Sequence, residues 1–259
     1  MIDRIKEAFE NGKAFIPFIT SGDPSLETTE QLVYAMDDAG ADIIELGVPF
    51  SDPTAEGPVI QAANLRALSA GTTTDKIFSM IAKIRQKTQI PLILMTYANV
   101  VYSYDTELFL KKAASVGVDG LILADVPYEE KEEFSDVCDE YGLCLISMVA
   151  PTSKERIKMI AKDAKGFVYC VSSLGVTGTR KEIKTDVSSM VKLVKEANDI
   201  PCAIGFGISM PETAREMALQ SDGAIVGSAI VKICEKYGAE SVPYVSEYVK
   251  QMKEAVSEL

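Results

Sequence analysis

Short apolar runs alternate with amphipathic segments along almost the whole chain. The runs are five to seven residues long and rich in Ile, Leu, Val, Phe and Ala. Continuous apolar runs of this length are typical of strands that are buried on both faces of a parallel sheet. We therefore predict eight strands, at residues 14–20, 42–48, 91–96, 120–124, 143–149, 166–171, 201–205 and 223–227.

The segments between these runs place apolar residues three and four positions apart, which predicts amphipathic helices. The predicted helices cover residues 26–39, 59–68, 74–87, 106–115, 129–141, 154–162, 187–197 and 211–220, and a last helical region runs to the C-terminus. One further helix, at residues 2–9, precedes the first strand and ends at Asn11-Gly12, a helix stop signal.

Regular alternation of strands and helices specifies a parallel sheet covered by helices, an α/β fold. Eight strands favour a (β/α)8 TIM barrel with an extra N-terminal helix over an open doubly wound sheet, although periodicity alone does not prove closure. No linker interrupts the series, so we predict a single domain over residues 1–259. Pro17 conflicts with the first strand because it lacks the N–H donor, and we expect it where that strand enters or leaves the sheet.

The stretch 43–58 carries two carboxylates around one strand end. Glu45 lies inside the apolar run, and Glu56 follows in a loop of Pro, Asp, Ser and Gly. Burial disfavours the charged form of a carboxyl group, so we expect the pKa of Glu45 to rise towards the range where it exchanges protons near neutral pH. The alternative is a structural Glu45 that is held by a lysine or by backbone amides.

Composition narrows the classes of function. The net charge of −12 gives no broad positive surface for nucleic acid or anionic lipid, so any phosphate group must be bound locally. No apolar stretch approaches the roughly 18 residues of a membrane span, and no signal peptide is visible. The five cysteines are odd in number and form no C-x-x-C pair, which argues against disulfides and zinc and favours the reducing cytoplasm.

Histidine is absent from the chain. Its absence excludes His-based triads, imidazole bases and metal sites with His ligands, so we predict no metal site. Barrels that cleave carbon–carbon bonds often use a lysine Schiff base, but no lysine lies near the C-terminal end of a predicted strand. A pair of carboxylates that works by acid–base catalysis is the remaining option.

Glycines follow the last three predicted strands, in the loops 172–180, 205–209 and 227–229. In a barrel these loops lie at the active-site face, and the last of them opens a helix whose N-terminus favours negative charge. Glycines there let backbone amides approach an anion closely. We predict a phosphate site in these loops. The alternative is that they are ordinary turn glycines.

The motif E-L-G-V-P-F-S-D-P-x-A-x-G-P, with P-F-I-T-S-G-D-P before it and S-L-G-V-T-G and G-F-G-I-S after it, resembles the tryptophan synthase alpha subunit family. The similarity covers essentially the whole chain. It implies cleavage of indole-3-glycerol phosphate to indole and glyceraldehyde 3-phosphate. It also implies that indole passes to a beta subunit in an α2β2 complex, with pyridoxal phosphate in the beta partner and no cofactor in this chain.

The resemblance assigns roles to individual residues. Glu45 matches the family's catalytic acid and base, and Tyr169 matches a tyrosine beside it, although Tyr169 could instead be a core aromatic. Glu56 replaces an aspartate that is expected to stabilise charge at the indole N–H, so the carboxylate is kept and its reach grows by one methylene. The expected substrate-binding residues are Phe18, Phe206, Thr177, Gly178, Gly207, Gly227 and Ser228.

Three further positions, Asp52, Pro53 and Asn99, match residues that couple the family to its beta partner, and the alternative for them is plain loop structure. Two other functions stay open at this point. One is a non-catalytic subunit that binds a phosphate metabolite and activates a partner, which the Glu56 substitution would fit. The other is a freestanding lyase that releases indole without a partner.

Overall fold

A computed structural model describes residues 3–172, 187–205 and 207–258. Strands and helices alternate through this part of the chain. The strands are β1 (Ala14–Thr20), β2 (Ile44–Gly47), β3 (Leu92–Thr96), β4 (Gly120–Leu123), β5 (Cys144–Leu145), β6 (Ser147–Val149), β7 (Val168–Val171), β8 (Cys202–Gly205) and β9 (Gly223–Val226). The helices are α1 (Arg4–Glu10), α2 (Leu26–Asp38), α3 (Pro58–Ser69), α4 (Thr74–Ile84), α5 (Ala98–Tyr104), α6 (Thr106–Ser115), α7 (Glu132–Tyr141), α8 (Lys154–Lys162), α9 (Val187–Ala197), α10 (Pro211–Leu219), α11 (Ser228–Tyr237) and α12 (Val242–Ser257).

All the strand pairs in the described ranges are parallel, and the order is β5-β4-β3-β2-β1-β9-β8-β7-β6. The two ends of this order, β5 and β6, are consecutive pieces of one strand, so the sheet curves round to close on itself. This arrangement is the predicted (β/α)8 TIM barrel with an extra N-terminal helix.

The fifth predicted strand, 143–149, is interrupted at Ile146. Its first piece pairs with β4 and its second with β7, and the Ile146 N–H donates to the Leu121 carbonyl at 2.9 Å. The side chain of Ile146 packs inside the barrel. The fifth strand of the barrel, residues 144–149, therefore changes its pairing partner from β4 to β7 along its length.

Pro17 lies inside β1, and the expectation that it marks an end of the strand is wrong. It is the last residue of β1 that pairs with β9, while pairing with β2 begins at Phe18. The missing N–H therefore falls where the ladder changes partner, which explains why a proline is tolerated there.

Two apolar layers hold the barrel together. The larger one fills the space between the sheet and the helices, and a smaller one fills the interior of the barrel. Ile5 of α1 belongs to the interior cluster, and Phe9 packs on Phe167 with the ring centroids 5.6 Å apart. Helix α1 thus covers the amino-terminal end of the barrel and leaves the carboxyl-terminal end open for a site.

Helix α5 was not predicted, because its sequence A-N-V-V-Y-S-Y is poor in strong helix formers. The predicted helix 129–141 begins as a short 3-10 turn, and the long final region divides into α11 and α12 at Gly238, which has a φ of 54°. None of the described helices combines the length and apolar composition that a membrane span requires.

Candidate active site

A cavity of about 500 Å³, part of it open to solvent, lies at the carboxyl-terminal end of the strands. It is lined by Phe18, Glu45, Glu56, Ile60, Met95, Tyr169, Gly207, Ile208, Ile225, Gly227 and Ser228. Both predicted carboxylates and five of the other predicted site residues therefore meet in one place.

Glu45 faces the interior of the barrel from β2 and is only 1% exposed. Neither of its carboxyl oxygens has a hydrogen-bond partner among the described residues. Burial raises its pKa to about 8, because water no longer stabilises the charged form. The described residues therefore do not supply the lysine or amide partners of a purely structural glutamate.

Tyr169 lies on β7 and is buried. Burial, and then the nearby charge of Glu45, raise the pKa of its phenol, so the group stays protonated at neutral pH. Gly205 makes room for this side chain, since a Cβ at that position would lie 2.3 Å from the phenol oxygen. The absence of a side chain at the end of β8 thus leaves the space that the Tyr169 ring occupies.

Glu56 enters the cavity from the loop between β2 and α3 and is 7% exposed. Its Oε2 accepts a hydrogen bond from Asn64 Nδ2 at 2.9 Å. Burial raises the pKa of Glu56, while hydrogen bonds from Asn64 and Tyr97 lower it. These donors stabilise the ionised carboxylate in a place where burial alone would favour the acid.

The ring of Phe18 forms one wall of the cavity. It lies between two glycines, because a Cβ at Gly47 would come within 2.7 Å of the ring and a Cβ at Gly227 within 3.3 Å. Phe18 pairs directly with Glu45 across the β1–β2 ladder. The apolar lining continues with residues that sequence reasoning missed, namely Ile60, Met95, Ile208 and Ile225.

Gly207, Gly227 and Ser228 form the other end of the cavity. Gly207 has a φ of 82°, a conformation that favours glycine, and Ser228 is the first residue of α11. The N-terminus of this ten-residue helix therefore opens on the cavity, where backbone N–H groups and the helix dipole favour an anion.

The remaining predicted residues lie elsewhere. Phe206, Thr177 and Gly178 fall outside the described residues. Asp52 and Asn99 are exposed and Pro53 is partly exposed, and none of the three lines the cavity. The described ranges contain no group of three or more acidic or cysteine side chains that could hold a metal ion.

Asn64 and Tyr97 were also missed by sequence reasoning. Asn64 lies on the buried face of α3 beside Ile60, Ala63 and Ala67. A lone amide on an otherwise apolar helix face needs a buried partner, and that signal could have placed Asn64 near a polar site.

Comparison with known proteins shows the family of this chain. The sequence profile of the family described as tryptophan synthase alpha chain matches residues 5–257. A tryptophan synthase alpha chain from Thermoanaerobacter sp. (strain X514) is 48% identical over 262 residues, which cover 98% of this chain and 100% of the relative.

Solved structures give the same result. Tryptophan synthase subunit alpha from Legionella pneumophila str. Paris superposes with a TM-score of 0.91 at 36% identity, over 100% of both chains. A structure of the Pyrococcus furiosus tryptophan synthase α2β2 complex gives a TM-score of 0.86 at 33% identity, over 94% of this chain and 99% of that chain. These matches confirm the resemblance seen in the sequence, and the chain belongs to the tryptophan synthase alpha chain family.

Proposed function

We propose that Glu45 is the acid and base that cleaves indole-3-glycerol phosphate in this chain. The observation that carries the proposal is a buried carboxyl group that faces a cavity, has no hydrogen-bond partner in the described ranges and has a pKa of about 8. A group with this pKa is largely protonated at neutral pH, yet its anion is readily formed. It can therefore both donate and accept a proton there.

The reaction is a retro-aldol cleavage. Glu45 donates a proton to indole C3, which places positive charge on the ring nitrogen. The carboxylate then accepts the proton of the hydroxyl group on the adjacent side-chain carbon. That carbon becomes the aldehyde of glyceraldehyde 3-phosphate, the bond from C3 to it breaks, and the bond electrons restore the aromatic ring of indole.

Glu56 is proposed as the electrostatic partner of this reaction. Burial raises its pKa, hydrogen bonds from Asn64 and Tyr97 counter that rise, and it faces the same cavity as Glu45. A carboxylate that accepts a hydrogen bond from the indole N–H stabilises the positive charge that develops on the ring nitrogen. Preorganised charges of this kind are most effective in a dry site.

The phosphate group is proposed to bind at Gly207, Gly227 and Ser228, where the N-terminus of α11 meets the cavity. The indole ring then lies against Phe18 and Tyr169 and the apolar side chains around them. Tyr169 is buried beside Glu45 and helps keep its carboxyl group dry. Phe206, Thr177 and Gly178 stay in the proposal as substrate contacts on the strength of the sequence resemblance.

A beta subunit in an α2β2 assembly is the proposed partner, as in the related Pyrococcus furiosus complex. Asp52, Pro53 and Asn99 are the proposed coupling residues, since they lie at or near the surface at the carboxyl-terminal end of the barrel. The proposed chemistry uses side chains of this chain alone, and pyridoxal phosphate is assigned to the beta partner. All five cysteines are unpaired thiols, which supports a cytoplasmic location.

An assay of indole release by the purified chain, with and without a beta subunit, tests this function. We expect slow release by the chain alone and faster release in the complex. Equal rates in both cases would favour a freestanding lyase. Binding of substrate without any release of indole, even with the beta subunit present, would favour a non-catalytic binding subunit and refute the proposal.

A further inference from the structure

Two neutral side chains from different elements hold the Glu56 carboxylate. Asn64 of α3 donates to Oε2 at 2.9 Å, and the Tyr97 hydroxyl, at the end of β3, forms a hydrogen bond to the same carboxylate. The oxygen of Tyr97 also accepts the Ala55 N–H at 3.2 Å. The phenol therefore ties the carboxylate to the backbone beside it.

The backbone of Glu56 is fixed as well. Gln61 Nε2 donates to the Glu56 carbonyl at 2.6 Å from the first turns of α3. The ring of Tyr97 also packs on Phe50, which belongs to the same loop, with the centroids 5.3 Å apart. The base of the Glu56 side chain is thus held in place, and the freedom that remains lies in its own side-chain torsions.

We propose that Asn64 is a positioning residue whose amide, with Tyr97 as second donor, turns the Glu56 carboxylate so that its free lone pairs face the cavity and accept the indole N–H. This inference rests on the proposed function of the site. A carboxylate offers about four acceptor positions, so two donors at its back leave others for the substrate. Without these donors the flexible side chain samples several rotamers, and few of them meet the ring nitrogen.

The neutrality of both donors suits this role. A lysine in place of Asn64 would form an ion pair and cancel part of the charge that the reaction needs. An amide and a phenol orient the carboxylate and leave its negative charge available for the positive charge that develops on the indole ring. Asn64 is 4% exposed and its helix face is otherwise apolar, so its amide in turn depends on Glu56 for a partner.

Asn64→Leu tests the inference, since leucine has a similar size and no donor. We expect kcat/KM for indole-3-glycerol phosphate to fall by about 10- to 100-fold, mainly through kcat. Because the lost hydrogen bond lowers the pKa of Glu56, the acid limb of the pH profile should move to higher pH. Asn198→Leu is the matched control. Its amide donates to the Ala161 carbonyl at 3.0 Å from the loop before β8, and its loss should leave the pH profile unchanged.

A second measurement does not depend on activity. Carbon-13 NMR of glutamate-labelled protein reports the pKa of Glu56 directly, with Glu56→Gln used to assign the resonance. The pKa should rise in Asn64→Leu and also in Tyr97→Phe, which serves as the test variant if Asn64→Leu does not fold. An unchanged Glu56 pKa, or a kcat/KM within twofold of the parent, overturns the inference. Absence of cleavage by the parent chain with its beta subunit would instead overturn the proposed function.

Discussion

Phe18 and Glu45 are direct partners across the β1–β2 ladder, so an aromatic ring and a carboxyl group lie side by side on the inner face of the barrel. The ring keeps water from one side of the carboxyl group, and loss of water is the cause of the raised pKa of Glu45. The same ring forms a wall of the cavity. The pairing therefore joins the electrostatics of the acid to the shape of the substrate pocket.

Glu45→Gln should abolish most of the cleavage and keep the fold. The amide matches the carboxyl group in shape but cannot exchange protons with the indole ring or the hydroxyl group. General acid–base catalysis contributes about 10²- to 10⁴-fold, so we expect kcat to fall by roughly that factor while KM changes little. Steady-state kinetics of indole release measures this. A kcat near that of the parent would show that Glu45 is not the acid and base.

The stability of the protein should depend on pH through Glu45. The folded pKa of about 8 lies above the ordinary value of 4.5, so the folded state holds a proton that the unfolded state releases. This contribution is fully present below pH 4.5, is lost as the pH rises and levels off above about pH 8. The total loss is on the order of a few kcal/mol.

Glu45→Gln removes that dependence. Urea unfolding of the parent and the variant at several pH values should show the variant gaining relative stability between about pH 5 and pH 8, with little difference below that range. A stability difference that stays constant across this range would mean that Glu45 has an ordinary pKa in the folded protein.

Gly227→Val should weaken phosphate binding. The new side chain would meet the Phe18 ring and crowd the N-terminus of α11. We expect KM to rise by about tenfold or more, since close backbone approach to the anion is lost. Calorimetric titration with glycerol phosphate measures the affinity without catalysis. Leu219→Ala is the control, because Leu219 is 62% exposed and does not line the cavity, and unchanged affinity in Gly227→Val would refute the site.

Gly47→Ala should push the Phe18 ring into the cavity. The added Cβ would lie 2.7 Å from that ring, so one of the two must move. We expect lower kcat/KM in the single variant and partial recovery in the double variant Gly47→Ala with Phe18→Leu, because the smaller side chain relieves the contact. A double-mutant cycle on kcat/KM measures this coupling. Strictly additive effects would show that the ring is not held by Gly47.

Ile5→Ala should destabilise the barrel without changing its kinetics. Ile5 is 1% exposed and packs into the interior from the amino-terminal end, away from the cavity. Truncation of a buried isoleucine costs about 2–5 kcal/mol, which thermal unfolding would detect. Leu219→Ala is the control, since Leu219 is 62% exposed and its loss should cost little. A changed KM in Ile5→Ala would show that the two ends of the barrel are coupled.

The sequence predicted the barrel because its strands are continuous apolar runs and its helices are amphipathic, and both patterns report burial directly. Glu45 could be found for the same reason, as a carboxylate within an apolar run. Helix α5 could not, because packing against its neighbours, and not local preference, forms it. The break at Ile146 was missed since a change of pairing partner leaves no mark on the apolar pattern.

The hydrogen bonds to Glu56 could not be predicted from the sequence, because they join parts of the chain that meet only in the fold. Asn64 lies eight residues after Glu56, and Tyr97 lies forty-one residues after Glu56. The folded barrel brings both side chains to one carboxylate. Ile60, Met95, Ile208 and Ile225 likewise come from four separate segments. Each looks like an ordinary core residue in the sequence, because a pocket wall and a core have the same composition.

The break at Ile146 divides the wall of the barrel into two arcs, β1 to β5 and β6 to β9, and among the described strands the ladder pairing that joins the two arcs is that of β1 with β9. Glu45 and Glu56 belong to the first arc, while Tyr169, Gly207 and Ser228 belong to the second. A substrate whose ring lies near the carboxylates and whose phosphate binds at α11 therefore spans both arcs. Such a substrate contacts both arcs across the mouth of the barrel. The distance between the arcs therefore limits the length of the molecule that the site accepts.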